Sequence, residues 1–202
     1  MSARRVPRAV TVRLAFEDGT LRVDTEDRDL LDALPGVAYD ERTETGRAPA
    51  MRYADVTDAL QNHGIEFADD ALAADSLDVA STYELRDYQR DALDAWEGND
   101  RRGVLELPTG SGKTVIGLKA IEAVGETALV VVPTIDLLTQ WKRELAREFD
   151  CELGQLGGGE QTVGDITVAT YDSAYLRADG LGDRFGLVVF DEVHHLGGEG
   201  FR

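Results

Sequence analysis

Uninterrupted apolar runs alternate with amphipathic stretches over the C-terminal half of the chain. The runs are GVLEL (103–107), TALVVVP (127–133), ITVATY (166–171) and GLVVFDE (186–192). Residues 113–123 and 135–149 lie between the first three runs and have the spacing of apolar side chains that is typical of helices. Continuously apolar strands indicate a parallel sheet covered on both faces. The pattern therefore predicts a doubly wound α/β domain.

The N-terminal part has a different pattern. Residues 10–23 alternate apolar and polar side chains around Asp18-Gly19, which predicts a β-hairpin. Residues 26–34 and 54–64 have helical spacing, and residues 68–80 are acidic, rich in small side chains and predicted to be a connection. We therefore divide the chain into a small α+β domain at residues 1–75 and the α/β domain at residues 76–202.

A glycine-bearing turn follows the first apolar run and reads LPTGSGKT (107–114). Gly110 and Gly112 allow the backbone to wrap closely, so that its amides and the start of the next helix point at a phosphate. Lys113 supplies a charge to the terminal phosphates, and the Thr114 hydroxyl can ligate magnesium. The sequence predicts a phosphate loop that binds ATP and Mg²⁺ through Lys113 and the other residues of the turn, Thr109, Gly110, Ser111, Gly112 and Thr114. Leu107 departs from the general pattern, which has glycine at that position.

Two adjacent carboxylates end the last apolar run, in VVFDEVHH (188–195). Strand ends of this kind lie at the carboxyl edge of the sheet, where open α/β folds bind their ligands. Asp191 is predicted to hold Mg²⁺ through water, and Glu192 to orient and deprotonate the attacking water. The catalytic set is thus Lys113, Asp191 and Glu192.

Composition limits the class of protein. The net charge is −18, and only three of the 21 basic residues are lysines. A dispersed acidic surface with so little lysine is what we expect of a protein that works in concentrated salt, with an ordinary acidic protein as the alternative. One cysteine and three histidines predict no structural metal. No apolar run predicts a membrane span or a signal peptide, so we expect a cytoplasmic protein.

Five ordered segments resemble the motifs of superfamily 2 helicases, and the DEVHH form resembles the XPB-type DNA helicases of archaea. They are YELRDYQRDALDAW (83–96), ELPTGSGKT (106–114), VVPTIDLLTQW (131–141), VATYDSAY (168–175) and FDEVHH (190–195). Residues 34–56 are similar to the small domain that precedes the motor in that family and is implicated in sensing distorted DNA. The resemblance implies an incomplete RecA-like lobe that binds ATP and acts on DNA.

The resemblance also implies roles for individual polar residues. Gln89 would contact the adenine edge, although a surface glutamine on an amphipathic helix is the alternative. Thr134 opens a helix after a strand, so it and the first helical amides can hold a DNA phosphate. Thr170 and Ser173 follow the next strand and offer a similar contact.

A complete motor of this family has a second lobe that supplies an arginine to the transition state. Nothing after His195 resembles the next motif, so we expect a truncated chain whose partner is a second helicase lobe, and whose sheet has an open apolar edge. Two alternatives remain open at this point. One is the motor part of a restriction or nuclease complex, and the other is a DNA-binding module without catalysis.

Overall fold

The computed structural model describes residues 12–17, 19–71, 74–108 and 110–194. These residues form two five-stranded sheets, and the chain divides into two compact units, one of residues 1–73 with 179–183 and one of residues 74–178 with 184–202. Each unit has its own apolar core. Among the described residues, no helix has both the length and the apolar character that crossing a membrane requires.

The N-terminal unit begins with the predicted hairpin, formed by antiparallel β1 (Val12–Glu17) and β2 (Thr20–Asp24). The rest of the unit follows in the order α1 (Arg28–Ala33), β3 (Ala38–Asp40), β4 (Thr45–Pro49), a 3-10 turn (Ala50–Arg52), α2 (Tyr53–Asn62) and β5 (Phe67–Asp70). The strand order is β3-β4-β2-β1-β5. Alternate residues of β1 and β2, such as Leu14 and Leu21, are buried because successive side chains of a strand face opposite sides of a sheet.

The predicted connection at residues 68–80 is wrong at its start. Residues 68–70 belong to β5, which pairs in parallel with β1. The strand reads FADD and contains one bulky apolar side chain, so its polar pattern resembles that of a loop. Pairing with β1 supplies backbone hydrogen bonds that the side-chain pattern does not reveal.

The second unit contains three of the four strands that the apolar runs predict. Its elements are α3 (Asp87–Glu97), α4 (Lys113–Val124), β6 (Ala128–Val132), α5 (Ile135–Glu148), β7 (Leu153–Gly157), β8 (Glu160–Thr162), β9 (Ile166–Thr170), α6 (Tyr171–Leu181) and β10 (Leu187–Phe190). The strand order is β10-β6-β9-β7-β8, with β8 alone antiparallel. All five residues of β6 are buried. The fold class is therefore the predicted one: a small α+β domain followed by a RecA-like α/β lobe with a mostly parallel sheet.

The predicted strand at residues 103–107 is absent. This segment forms no strand, and the Val104 side chain is 73% exposed. Residues 103–107 and β10 line the same cleft of about 600 Å³. Within the described residues β10 pairs only with β6, and Val188 and Phe190 on it are exposed. An apolar run forms a strand only when a neighbouring strand pairs with its backbone, and residues 103–107 have none.

Candidate active site at the carboxyl edge of the sheet

The phosphate loop has the backbone shape that the glycines predict. Gly110 and Gly112 both have left-handed conformations, with φ of 78° and 79°. Gly112 is the residue before α4, which begins at Lys113, and no side chain caps this helix start. Thr114 lies in the first turn of α4, whereas Thr109 lies outside the described residues. The loop therefore presents a helix N-terminus at which the N-cap residue, a glycine, supplies no side-chain hydrogen bond.

Gln89 binds the phosphate loop through its side-chain amide. Its Nε2 donates to the Ser111 carbonyl oxygen at 2.9 Å, and its Oε1 accepts from the Arg86 amide at 3.0 Å. The Tyr88 hydroxyl donates to the same Ser111 carbonyl at 2.6 Å. Gln89 is 4% exposed, so the alternative of a surface glutamine is wrong. Contact of Gln89 with the adenine edge stays a prediction, because the Ser111 carbonyl and the Arg86 amide already bond both ends of the Gln89 side chain.

Two features of the loop fit a bound phosphate group. The Ser111 hydroxyl oxygen is buried and has no hydrogen-bond partner among the described residues. A side chain at Gly112 would approach Gln89 Nε2 to 2.7 Å, so the loop and Gln89 leave no room there for one. A buried hydroxyl without a partner costs free energy, which a ligand oxygen can recover. The residues present therefore fit a nucleotide phosphate.

The paired carboxylates lie opposite the loop. Glu192 Oε1 is 3.3 Å from Lys113 Nζ, and Glu192 Oε2 is 3.3 Å from His194 Nδ1. Lys113, Asp191 and Glu192 all line the cleft of about 600 Å³. Glu192 also has a left-handed backbone with φ of 54°, which is rare outside glycine and is common at functional sites. His195 lies outside the described residues.

Asp191 is fixed by hydrogen bonds to both its carboxylate and its backbone. Oδ1 accepts from the Glu192 amide at 3.0 Å, and Oδ2 accepts from Trp141 Nε1 at 2.8 Å. The Tyr171 hydroxyl donates to the Asp191 carbonyl at 2.7 Å. Burial, and to a lesser degree the charges of Asp191 and Glu192, raise the pKa of Tyr171 to about 12. The Tyr171 hydroxyl therefore keeps its proton at neutral pH and can donate.

The three predicted DNA contacts lie at the same edge of the sheet as the carboxylates. Thr134 follows β6 and caps α5, with its hydroxyl accepting from the Leu137 amide at 3.3 Å. Thr170 ends β9, opposite Val132 of β6, and the Thr170 and Ser173 hydroxyls are 2.9 Å apart. The Thr134 and Ser173 hydroxyls accept in these bonds and still have a proton to donate, whereas the Thr170 hydroxyl donates to Ser173. The structure thus brings these side chains to one edge, and their binding of DNA stays a prediction.

Three consecutive glycines, at positions 157–159, lie where β7 meets β8. They form the tight turn between β7 and β8, and Gly157 is packed so closely that a side chain there would approach Thr170 and Ser173 to 3.1–3.3 Å. Gly158 and Gly159 have φ of 63° and 91°, which a two-residue hairpin turn requires. The turn therefore borders the predicted DNA contacts, and three consecutive glycines between two short strands are the pattern that could have indicated it.

A phosphate loop and paired carboxylates at the carboxyl edge of a RecA-like sheet define the lobe of a P-loop nucleoside triphosphatase. Comparison with protein families agrees with this class. Residues 82–202 match the family described as type III restriction enzyme, res subunit. Residues 14–71 match the Xeroderma pigmentosum group B helicase damage recognition domain. The chain belongs to the XPB-type superfamily 2 helicases.

Curated relatives of this family are similar to large parts of the chain. The DNA 3'-5' translocase XPB2 of Sulfurisphaera tokodaii is 44% identical over 170 residues, which are 83% of this chain and 38% of the relative. A DNA 3'-5' helicase Rad25 of Haloarcula marismortui is 34% identical, over 89% of this chain and 31% of the relative. The DNA 3'-5' helicase XPB of Mycobacterium tuberculosis is 38% identical, over 59% and 24%. The chain therefore spans between about a quarter and two fifths of the length of these relatives.

Proposed function

We propose that this chain is the ATP-binding lobe of an ATP-dependent DNA helicase or translocase that acts in the cytoplasm, in repair or transcription. The observation that carries the proposal is the distance of 3.3 Å between Lys113 Nζ and Glu192 Oε1 across the cleft that Asp191 also lines. In phosphate-loop enzymes the lysine and the carboxylates act on the same phosphates, the magnesium ion and the attacking water, and this short distance supports a common site for them in the cleft.

Each part of the site has a chemical task. The phosphate loop, residues 107–114, surrounds the phosphates with backbone amides, and Lys113 contacts the terminal oxygens. Thr114 and Asp191 would hold Mg²⁺, which when bound neutralises charge on the phosphates. Glu192 orients the attacking water and accepts its proton. Gln89 holds the loop through Ser111 and, by the family resemblance, also contacts adenine.

DNA would bind along the edge formed by Thr134, Thr170 and Ser173. These side chains are uncharged, and so are the amides at the start of α5. Release of counterions drives DNA binding less strongly as salt rises, so neutral contacts suit a protein of net charge −18 in concentrated salt. Neutral phosphate contacts also carry no base specificity, as a motor that moves along DNA requires.

Hydrolysis would need a second helicase lobe. No arginine is among the described residues that line the cleft, and phosphate-loop motors gain about 10³–10⁵ in rate from one. We therefore infer that this lobe binds MgATP and that the partner lobe completes the site for turnover. DNA would then stimulate hydrolysis by bringing the two lobes together.

A second candidate is the motor of a restriction or nuclease complex, which the match of residues 82–202 to a restriction-enzyme family favours. The match of residues 14–71 to a helicase damage recognition domain favours the XPB-type motor instead. The two candidates share the same ATP site, so they differ in what the N-terminal unit recognises. Stronger binding of residues 1–202 to distorted than to regular duplex DNA would support the XPB type.

Calorimetry of ATP binding to the whole chain tests the proposal. We expect a single site for ATP, tighter with Mg²⁺ than with a chelator present. Asp191→Asn should remove most of the effect of Mg²⁺ while leaving binding of metal-free ATP nearly unchanged. Absence of ATP binding to the folded chain would contradict the proposal and would favour the module without catalysis.

Measurement of single-stranded DNA binding tests the proposed DNA-binding edge. Thr134→Ala and Thr170→Ala should each weaken binding by about 0.5–1.5 kcal/mol, the value of one hydrogen bond. Thr139→Ala on the same helix α5 is a matched control, since its hydroxyl donates to the Ile135 carbonyl at 2.9 Å. Equal affinities in all four proteins would contradict the assignment of this edge to DNA.

A further inference from the structure

Asp191 receives hydrogen bonds from side chains of two other elements, and both elements begin at a predicted DNA contact. Trp141 lies on α5, which Thr134 caps. Tyr171 is the first residue of α6 and directly follows Thr170. We propose that Trp141 and Tyr171 are positioning residues that hold Asp191 for magnesium and connect it to the DNA-binding edge. This inference rests on the proposed function.

The bonds leave Asp191 able to bind a metal. Its two carboxylate oxygens offer about four lone-pair sites, of which the Glu192 amide and the Trp141 indole use one each. The backbone is held at both ends, because the Asp191 amide donates to Val131 and its carbonyl accepts from Tyr171. A carboxylate held in this way cannot rotate away from the cleft, and its remaining lone pairs are free for water ligands of Mg²⁺.

Trp141 is held in place as firmly as Asp191. It is 2% exposed, and its ring packs against Gly117 of α4 so closely that a side chain at Gly117 would come within 2.5 Å of it. A buried indole N–H needs an acceptor, and here the acceptor is a carboxylate, which makes the bond stronger than one to a neutral oxygen. Helix α4, which begins with Lys113, therefore fixes the indole that fixes Asp191.

The same contacts offer a path between the two ligand sites. A phosphate bound at Thr134 or Thr170 acts on the first turn of α5 or α6, and these helices carry the donors to Asp191. By thermodynamic linkage, any effect of DNA on magnesium nucleotide binding must equal the effect of magnesium nucleotide on DNA binding. When the donor of Trp141 or of Tyr171 is removed, we expect the effect of DNA on nucleotide binding and the effect of nucleotide on DNA binding to decrease by the same factor.

A calorimetric titration with Mg²⁺ at a fixed concentration of ATP tests the positioning role. Tyr171→Phe removes one hydroxyl with little change of shape, and Trp141→Phe removes the indole donor. We expect both to raise the Mg²⁺ concentration at the midpoint about 10-fold or more, as loss of a bond to a metal ligand commonly does, with the affinity for metal-free ATP unchanged. Tyr83→Phe is the matched control, since its hydroxyl donates to Glu144 at 2.8 Å on the same unit.

Fluorescence provides a readout that a purely structural role would not change. The chain has two tryptophans, so Trp96→Phe leaves Trp141 as the only indole. Its emission should shift when Mg²⁺ and ATP are added together, and this shift should disappear in a Trp96→Phe, Asp191→Asn double variant. Gly117→Ala should reduce the same shift by displacing the ring without changing either hydrogen-bonding group.

The outcomes separate the inference from the proposed function. If the unchanged chain binds no MgATP, both fail. If it binds MgATP and Tyr171→Phe has the Mg²⁺ midpoint of Tyr83→Phe, the positioning role is wrong and the proposed function stands. If Tyr171→Phe lowers the affinity for ATP equally with and without Mg²⁺, Tyr171 has a structural role only, which also overturns the inference. Should Trp141→Phe fail to fold, the Mg²⁺ midpoint of Tyr171→Phe decides the test by itself.

Discussion

Lys113 Nζ and Glu192 Oε1 lie 3.3 Å apart, and each side chain is about one third exposed, at 33% and 32%. The lysine that would bind the terminal phosphates is therefore paired with the carboxylate that would activate water. A phosphate entering the loop must compete with Glu192 for Lys113. The energy of such a partly exposed pair is small, about 1 kcal/mol or less, so the competition does not prevent binding.

This pair predicts the behaviour of Glu192→Gln. The variant should bind MgATP as tightly as the unchanged chain or slightly more tightly, because the amide competes less for Lys113. In an assembly that includes a second helicase lobe, its rate of phosphate release should fall about 10²–10⁴-fold, the usual contribution of a positioned base. Calorimetry and a phosphate-release assay check the two parts. Weaker MgATP binding in Glu192→Gln would mean that the glutamate contributes to the nucleotide site itself.

The backbone of the phosphate loop predicts a loss of ATP affinity in Gly112→Ala. Alanine is disfavoured at φ of 79° by about 1–2 kcal/mol, and its Cβ would also displace Gln89 from the loop. We expect weaker ATP binding together with a lower melting temperature. Gly64→Ala is the matched control, since its φ is 66° and no atom lies within 4 Å of the added carbon. It should lower stability and leave ATP affinity unchanged; equal ATP affinity in the two variants would refute the role of the loop backbone.

The phosphate loop and the paired carboxylates could be predicted because each is a local pattern. Residues 107–114 and 188–192 are short segments in which spacing alone fixes the chemistry. The contact of Gln89 with Ser111 joins residues 22 positions apart, and that of Trp141 with Asp191 joins residues 50 positions apart. The spacing of apolar side chains along the sequence does not reveal contacts between residues so far apart. Strand 103–107 was wrongly predicted because an apolar run indicates burial but does not reveal whether a partner strand is present.

Cys151 predicts an unusual pH dependence of alkylation. Partial burial, with smaller effects from Asp165 and Asp150, raises the pKa of its thiol from 9.0 to about 11. The thiolate is the reactive form, so the rate with iodoacetamide should still rise about tenfold between pH 9 and pH 10 in the folded chain. In denaturant the rate should level off over the same interval. Mass spectrometry of the labelled protein measures both, and a plateau in the folded chain would contradict the shift.

The same shift affects stability at high pH. A thiol whose pKa is higher in the folded than in the unfolded chain stabilises the fold below pH 9. This contribution should be lost between about pH 9 and pH 11, because the unfolded chain releases its proton first. Cys151→Ser should lose less stability than the unchanged chain over this interval.

The net charge of −18 predicts that salt stabilises the protein. Carboxylates repel one another when they are unscreened, and the screening length falls to about 3 Å at 1 M salt. The melting temperature should therefore rise from 0.1 M to multimolar potassium chloride. A flat or falling melting temperature would show that the excess of carboxylates is incidental.

Calorimetry of MgATP with Lys113→Ala tests most directly whether Lys113 and the loop around it bind the phosphates of ATP. Loss of a charge-assisted hydrogen bond should weaken binding by about 1.5–3 kcal/mol. Lys142→Ala removes the same charge from α5, where the lysine bonds Gln155 at 2.8 Å, and should leave ATP affinity unchanged. Equal affinity of Lys113→Ala and Lys142→Ala for MgATP would contradict the account.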